Sequence, residues 1–169
     1  MLLAEAITVD QCMKPEENHF PTDLLNQLKA WRSDSFTGAG IVFYSALKAL
    51  PNAALGNPLT PKPQLPITGI DAIASTLSDI SDSASPWHDG FHMVDIRSHT
   101  LTHLSQFLAP PLENLPYLPE SRPSGARLMT AMITSMVDGI DCVGVLSTSG
   151  DVIIYKRGLN IAQAIKEHE

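Results

Sequence analysis

The chain has 169 residues, 44% of them hydrophobic and 17% charged, with a net charge of -7 at pH 7. That length and composition suit one globular domain with a sizeable core and exclude a disordered chain. The acidic balance argues against sequence-independent binding to a nucleic acid polymer, which needs a basic face, but leaves room for a small anion held by one or two local cations.

Aromatic residues are only 6% of the chain, so its core must be aliphatic. Cys12 and Cys142 stand far apart, and neither has a second cysteine at metal-motif spacing. No disulfide framework is expected, which fits a reducing compartment. Cys142, inside an apolar run, reads as a small core residue. No stretch approaches the ~18 apolar residues of a membrane span. Acidic Glu5 comes early and no basic n-region is present, so no secretory signal is expected. A cytoplasmic protein without a membrane partner follows as the expectation.

Residues 1–19 are ambiguous: Met1 to Val9 suits a helix or an edge strand, and Lys14 to His19 a loop. Leu24, Leu25, Leu28 and Trp31 recur at helical spacing and predict a helix over about 22–33, capped by Thr22 or Asp23. After a turn-like Ser33 to Gly40, Ala39 to Tyr44 predicts the first strand. Five prolines at 51, 58, 61, 63 and 66 then predict a long loop with no regular element. Ile70, Ile73, Ala74, Leu77 and Ile80 place a helix at about 70–80. Phe91 to Ile96 and Thr100 to Leu108 read as a hairpin turning at Arg97-Ser98, followed by a second Pro-rich loop to Pro123.

Ser124 is placed to cap a third helix whose apolar face is Leu128, Met132, Ile133 and Met136, closed by Gly139. Ile140 to Leu146 is apolar enough for burial on both faces, Ser147 to Gly150 is a turn, and Val152 to Tyr155 pairs back. A terminal helix is expected over 159–168. The resulting fold class is α/β of the α+β type: a single-domain mixed β-sheet flanked by helices. Residues 1–35 form an N-terminal segment and helix on the core, and 36–169 the α/β domain.

Asp89-Gly90 stands where a polar, Pro-marked approach becomes an apolar run. Aspartate is a hard oxygen ligand for a divalent metal, and glycine lets a ligand approach the backbone. The same pair also makes ordinary tight turns. His88 with His92, and His99 with His103, are spaced i,i+4, but on strands or loops that spacing does not make the paired ligands of a zinc helix. On one strand His99 and His103 would lie ~13 Å apart, too far for one ion.

Five stretches, in order, resemble the diadenylate cyclase (DAC) domain, which joins two ATP molecules into cyclic di-AMP. Gly38-Ala39-Gly40-Ile41-Val42 resembles the family's Gly-Ala-Leu-Ile-Val strand, and Ile67-Thr68-Gly69-Ile70 its Thr-Gly-Ile segment. Pro86-Trp87-His88-Asp89-Gly90-Phe91 is similar to Pro-Leu-His-Asp-Gly-Ala. Ser124-Gly125-Ala126-Arg127 stands where the family has Gly-Thr-Arg-His-Arg, and Val145-Leu146-Ser147-Thr148-Ser149-Gly150 resembles Val-Val-Ser-Glu-Glu-Thr-Gly with one residue fewer. The likeness covers roughly residues 36–160.

The departures fall on charged positions. Arg127 matches the first arginine of Arg-His-Arg, but Leu128 and Met129 replace the histidine and second arginine. Thr148-Ser149 replaces the two glutamates, and Phe91 the alanine. The resemblance implies a ligand over Asp89, Gly90, Phe91, Leu108, Gly125, Ala126, Arg127, Ser147 and Thr148. If the chain is active, Asp89 is its catalytic metal ligand, with Mg²⁺ or Mn²⁺ and ATP as cofactors; otherwise no cofactor is implied. Groups that hold developing phosphate charge are worth roughly 10²–10⁵ in rate, so the replacements imply a degenerate nucleotide or cyclic-dinucleotide sensor. An active cyclase and a non-nucleotide protein-interaction module are the alternatives. A small nucleotide is the implied partner, and a homo-oligomer or a partner protein is left open.

Overall fold

The computed structural model describes residues 18–117 and 122–161. Helix α1 (Phe20–Trp31) leads into strand β1 (Ala39–Tyr44). Strands β2 (Asn52–Ala54) and β3 (Ile67–Thr68) precede helix α2 (Ile70–Ile80), and β4 (Phe91–Asp95) and β5 (Thr100–Leu108) follow it. A 3₁₀ segment (Leu112–Tyr117) and helix α3 (Ala126–Thr134) lead to β6 (Ile140–Leu146), β7 (Val152–Lys156) and β8 (Leu159–Asn160).

All strands join one eight-stranded sheet in the order β2-β5-β4-β1-β6-β7-β8, with β3 also paired to β5. Among the described residues only β1 and β4 pair in parallel, and the other pairings are antiparallel. The sheet is therefore mixed, and every residue of its central β1 is buried, as its unbroken apolar run requires.

Helices α1 and α2 pack on one face. Their Leu24, Leu25, Leu28, Ile73, Ala74 and Leu77 join Ile41, Phe43, Val94, Leu101 and Leu146. Helix α3 covers the other face, where Ala131, Met132 and Ile133 meet Val42, Met93, Val143 and Val145. At the start of α1 the His19 side chain makes no capping bond, and Asn18 Oδ1 accepts the Phe20 N–H at 3.1 Å. Leu24, Leu25 and Leu28 are each fully buried and contribute about 1.5–3 kcal/mol apiece. Among the described residues no helix is long and apolar enough to cross a membrane.

Several expectations change. Helix α1 begins two residues early, because Pro21 fits the first turn, where an N–H would go unused. The cap expected from Ser124 on α3 is instead Gly125, with no side-chain bond. The Pro-rich 48–66 stretch does contain a strand: β2 lies between Pro51 and Pro58 and adds to the edge of β5, where Asn52 pairs with Leu108. Leu159 and Asn160, expected to open a helix, pair with β7 instead. The rest of that expected helix, 162–168, lies outside the described residues, as do 1–17.

Candidate functional site

The two parallel strands start at the same end of the sheet, and the register aligns Phe91 with Gly40 and with Gln106. Ala39 faces Leu146 across the next pairing. The loop carrying Asp89, the start of β1, the end of β5 at Leu108 and the Ser147–Gly150 turn thus share one end of the sheet. Helix α3 brings Arg127 to the same end.

Gly90 has φ +80, and a Cβ there would come within 2.7 Å of the Gln106 carbonyl and 2.8 Å of Leu55 Cδ1. Only glycine fits both that conformation and that space. The turn leaves the Asp89 side chain 74% exposed. His88 stands beside it, with Nδ1–H donated to the Ser85 carbonyl at 2.6 Å and Nε2 3.7 Å from Asp89 Oδ1. When neutral, the ring must then present a lone pair from Nε2 toward the carboxylate.

Arg127 is half-buried and donates from Nη1 to the Thr37 carbonyl at 3.2 Å. Its guanidinium lies over Gly38, where a Cβ would stand 2.7 Å from Nη1, 3.1 Å from the Leu146 carbonyl and 3.7 Å from Thr148 N. No carboxylate pairs with Arg127 among the described residues. Gly125 has open space beside it and no side chain caps the first turn of α3, so backbone N–H groups there are free for an anion.

The walls are apolar. Phe91 is buried with its ring over Gly40, in one cluster with Leu108, and half-buried Leu128 and Met129 pack against that cluster. Ser147 is engaged within its own turn. Its hydroxyl meets Ser149 at 2.8 Å and accepts the Asp151 N–H at 2.9 Å. Bonds from Ser149 and Ser147 hold the Asp151 carboxyl below its usual range. Thr148 is exposed and approaches Gly38 through its backbone nitrogen.

Just behind the site, His92 is fully buried. Burial first, and the Arg127 charge second, push its pKa down to about 3. Its Nδ1 accepts the Ser105 N–H at 3.2 Å, while Nε2 has no hydrogen-bond partner.

A crystal structure of a double mutant of DacA from Staphylococcus aureus is similar, with a TM-score of 0.51 and 16% identity over 92% of this chain and 98% of that one. The chain has the diadenylate cyclase (DAC) fold. No family model matches it. No curated protein matches its sequence.

Against the DAC pattern, the changes at 40 and 91 form a size exchange. Where the family has leucine in β1 and alanine after Asp-Gly, this chain has glycine and phenylalanine, and the Phe91 ring fills the space over Gly40. Gly38 and Gly40, absent from the expected site, shape its floor; their i,i+2 spacing at the start of an apolar strand was the available signal. The Pro-rich loop buttresses the Asp89 turn from behind. Trp87 Nε1–H donates to the Pro61 carbonyl at 2.9 Å, and the Leu55 N–H to Ser105 O at 2.8 Å.

Asp89 and Arg127 make no ion pair with each other. Among the described residues no group of three or more His, Cys, Asp or Glu side chains could hold a metal. His99 lies in the turn before β5, not on the strand with His103, and stacks on Phe20 with ring centroids 4.0 Å apart. A cleft of about 200 Å³ lined by Ala49, Pro111, Glu113, Met136, Val137 and Asp138 contains none of the expected site residues.

Proposed function

We propose that this DAC-like domain binds a nucleotide or cyclic dinucleotide at the Asp89–Arg127 end of the sheet and acts as a sensor or regulator with a degenerate catalytic site. The observation that carries this is the half-buried Arg127 guanidinium. It is tied to one backbone carbonyl, has no carboxylate partner among the described residues, and adjoins an uncapped helix start. An unpaired guanidinium with free donors suits phosphate oxygens, which it can bind through two parallel N–H bonds.

Catalysis demands more. Attack by one nucleotide's 3′-hydroxyl on another's α-phosphate builds negative charge that several cations must hold. Here Leu128 and Met129 line the helix turn with apolar groups, and Thr148-Ser149 supplies no carboxylate. Asp89, exposed and without a Lys or Arg partner among the described residues, with His88 Nε2 beside it, suits Mg²⁺ or Mn²⁺ whose remaining ligands are phosphate oxygens and water. Such an ion would neutralise phosphate charge when bound. The chain's own residues would position the nucleotide: Arg127 on a phosphate, the Gly90 backbone beneath the ligand, and Phe91 excluding water.

Calorimetric titration with AMP, ADP, ATP and cyclic di-AMP is expected to show binding tighter than millimolar for at least one. Binding of none would overturn the proposal. The alternative, an active cyclase, is favoured by the retained Asp89 turn. Incubation with ATP and Mn²⁺ followed by mass spectrometry separates the two: cyclic di-AMP that disappears in Asp89→Asn would establish activity.

A further inference from the structure

We infer that the site, granted the nucleotide reading above, prefers a phosphate of low charge (a nucleoside monophosphate or a phosphodiester) and disfavours the triphosphate. Arg127 spends one N–H on Thr37 and keeps the rest of its five donors for a ligand, enough for one bidentate phosphate. No further cation adjoins it on the first turn of α3, where Leu128 and Met129 pack into the apolar cluster with Phe91 and Leu108. Arg32, the residue that ends α1, sets its guanidinium beside Gly150 in the turn at this end of the sheet and donates from Nη1 to the Lys29 carbonyl. Arg122 donates to Leu115 O, within its own loop.

The uncapped N–H groups at Gly125 add donors for the same phosphate without adding a formal charge. Asp89 opposes additional anionic groups, since its carboxylate has no Lys or Arg partner among the described residues. The chain's net charge of -7 acts in the same direction. Without a divalent ion, a triphosphate brings extra negative charges beyond the one phosphate that Arg127 can pair. Each weakens binding on the order of tenfold when the like charges are within a few ångströms.

The test is calorimetry on the full chain in EDTA with AMP, ADP and ATP. Affinity is expected to fall along that series, with ATP at least about tenfold weaker than AMP. Arg127→Gln should weaken AMP about tenfold or more. Met129→Arg, which adds a cation to the first turn of α3, should shift the AMP-to-ATP preference at least about tenfold toward ATP. Comparing cyclic di-AMP with AMP separates the diester from the monoester. ATP binding as tightly as AMP in EDTA, or an unchanged preference in folded Met129→Arg, would overturn the low-charge inference and leave the nucleotide proposal standing. Failure of all these ligands to bind the folded wild-type chain would overturn both.

Discussion

Exchanging Gly40 for leucine and Phe91 for alanine restores the residue sizes of the DAC pattern, and the two changes should rescue one another. A Cβ at position 40 would lie 2.6 Å from both Cδ1 and Cε1 of Phe91, well inside van der Waals contact. Gly40→Leu alone therefore overpacks the central pair of strands and is expected to cost about 1–3 kcal/mol. Phe91 is 6% exposed, so Phe91→Ala alone leaves a cavity and should cost about 3–5 kcal/mol. In the double variant the leucine enters the space the ring vacates. Its cost should fall short of the sum of the singles by about 1–3 kcal/mol. Urea unfolding of the four proteins at one pH, with comparable slopes, gives the cycle directly. Additivity within about 0.5 kcal/mol would refute the size exchange.

Further outcomes follow from the surrounding residues. His92 has a folded pKa of about 3 against 6.5 for the free side chain, so the unfolded chain takes up the proton first. Stability from this group is fully present above about pH 6.5 and is lost as pH falls toward 3, the loss reaching about 2 kcal/mol at pH 5. His92→Asn, which keeps an acceptor for the Ser105 N–H, should flatten that part of the pH dependence; an unchanged slope would contradict it. Cys142 is buried, with its thiol pushed up to about 12 chiefly by desolvation. In a Cys12→Ser background it should resist thiol reagents at pH 8 until the protein is unfolded, and rapid native labelling would contradict its placement. Trp87→Phe removes the donor to Pro61 and should cost about 0.5–1.5 kcal/mol while speeding proteolytic cleavage between Leu55 and Gln64. Unchanged cleavage would show that the indole N–H does not anchor the loop.

The elements with a strong apolar period were legible in the sequence because burial sets their pattern. Leu24, Leu25 and Leu28 marked α1, Ile73 and Leu77 marked α2, and the unbroken runs of β1 and β6 marked central strands. Strand β2 was not legible: its Asn52, Ala53 and Ala54 are all exposed, and the edge of β5 sets their conformation. Leu159 and Asn160 likewise become a strand only because β7 is there to pair with them.

At the site, Asp89-Gly90 and Arg127 carried a signal through their chemistry and order. The close approaches of Phe91 to Gly40 and of Arg127 to Gly38 depend on distant segments meeting, which local spacing does not encode. Ser147 was expected to face a ligand by its position in the motif. In the structure its hydroxyl accepts the Asp151 N–H within the turn, a local bond that short polar side chains often make with nearby backbone.

The nucleotide site itself is tested most directly by a crystal of this chain soaked with millimolar AMP. Phosphate density is expected within hydrogen-bond distance of the Arg127 guanidinium, at the end of the sheet that carries Asp89, Gly90 and Phe91. An AMP molecule bound elsewhere, or an Arg127 environment unchanged at full soak concentration with that end of the sheet open to solvent, would contradict the proposal.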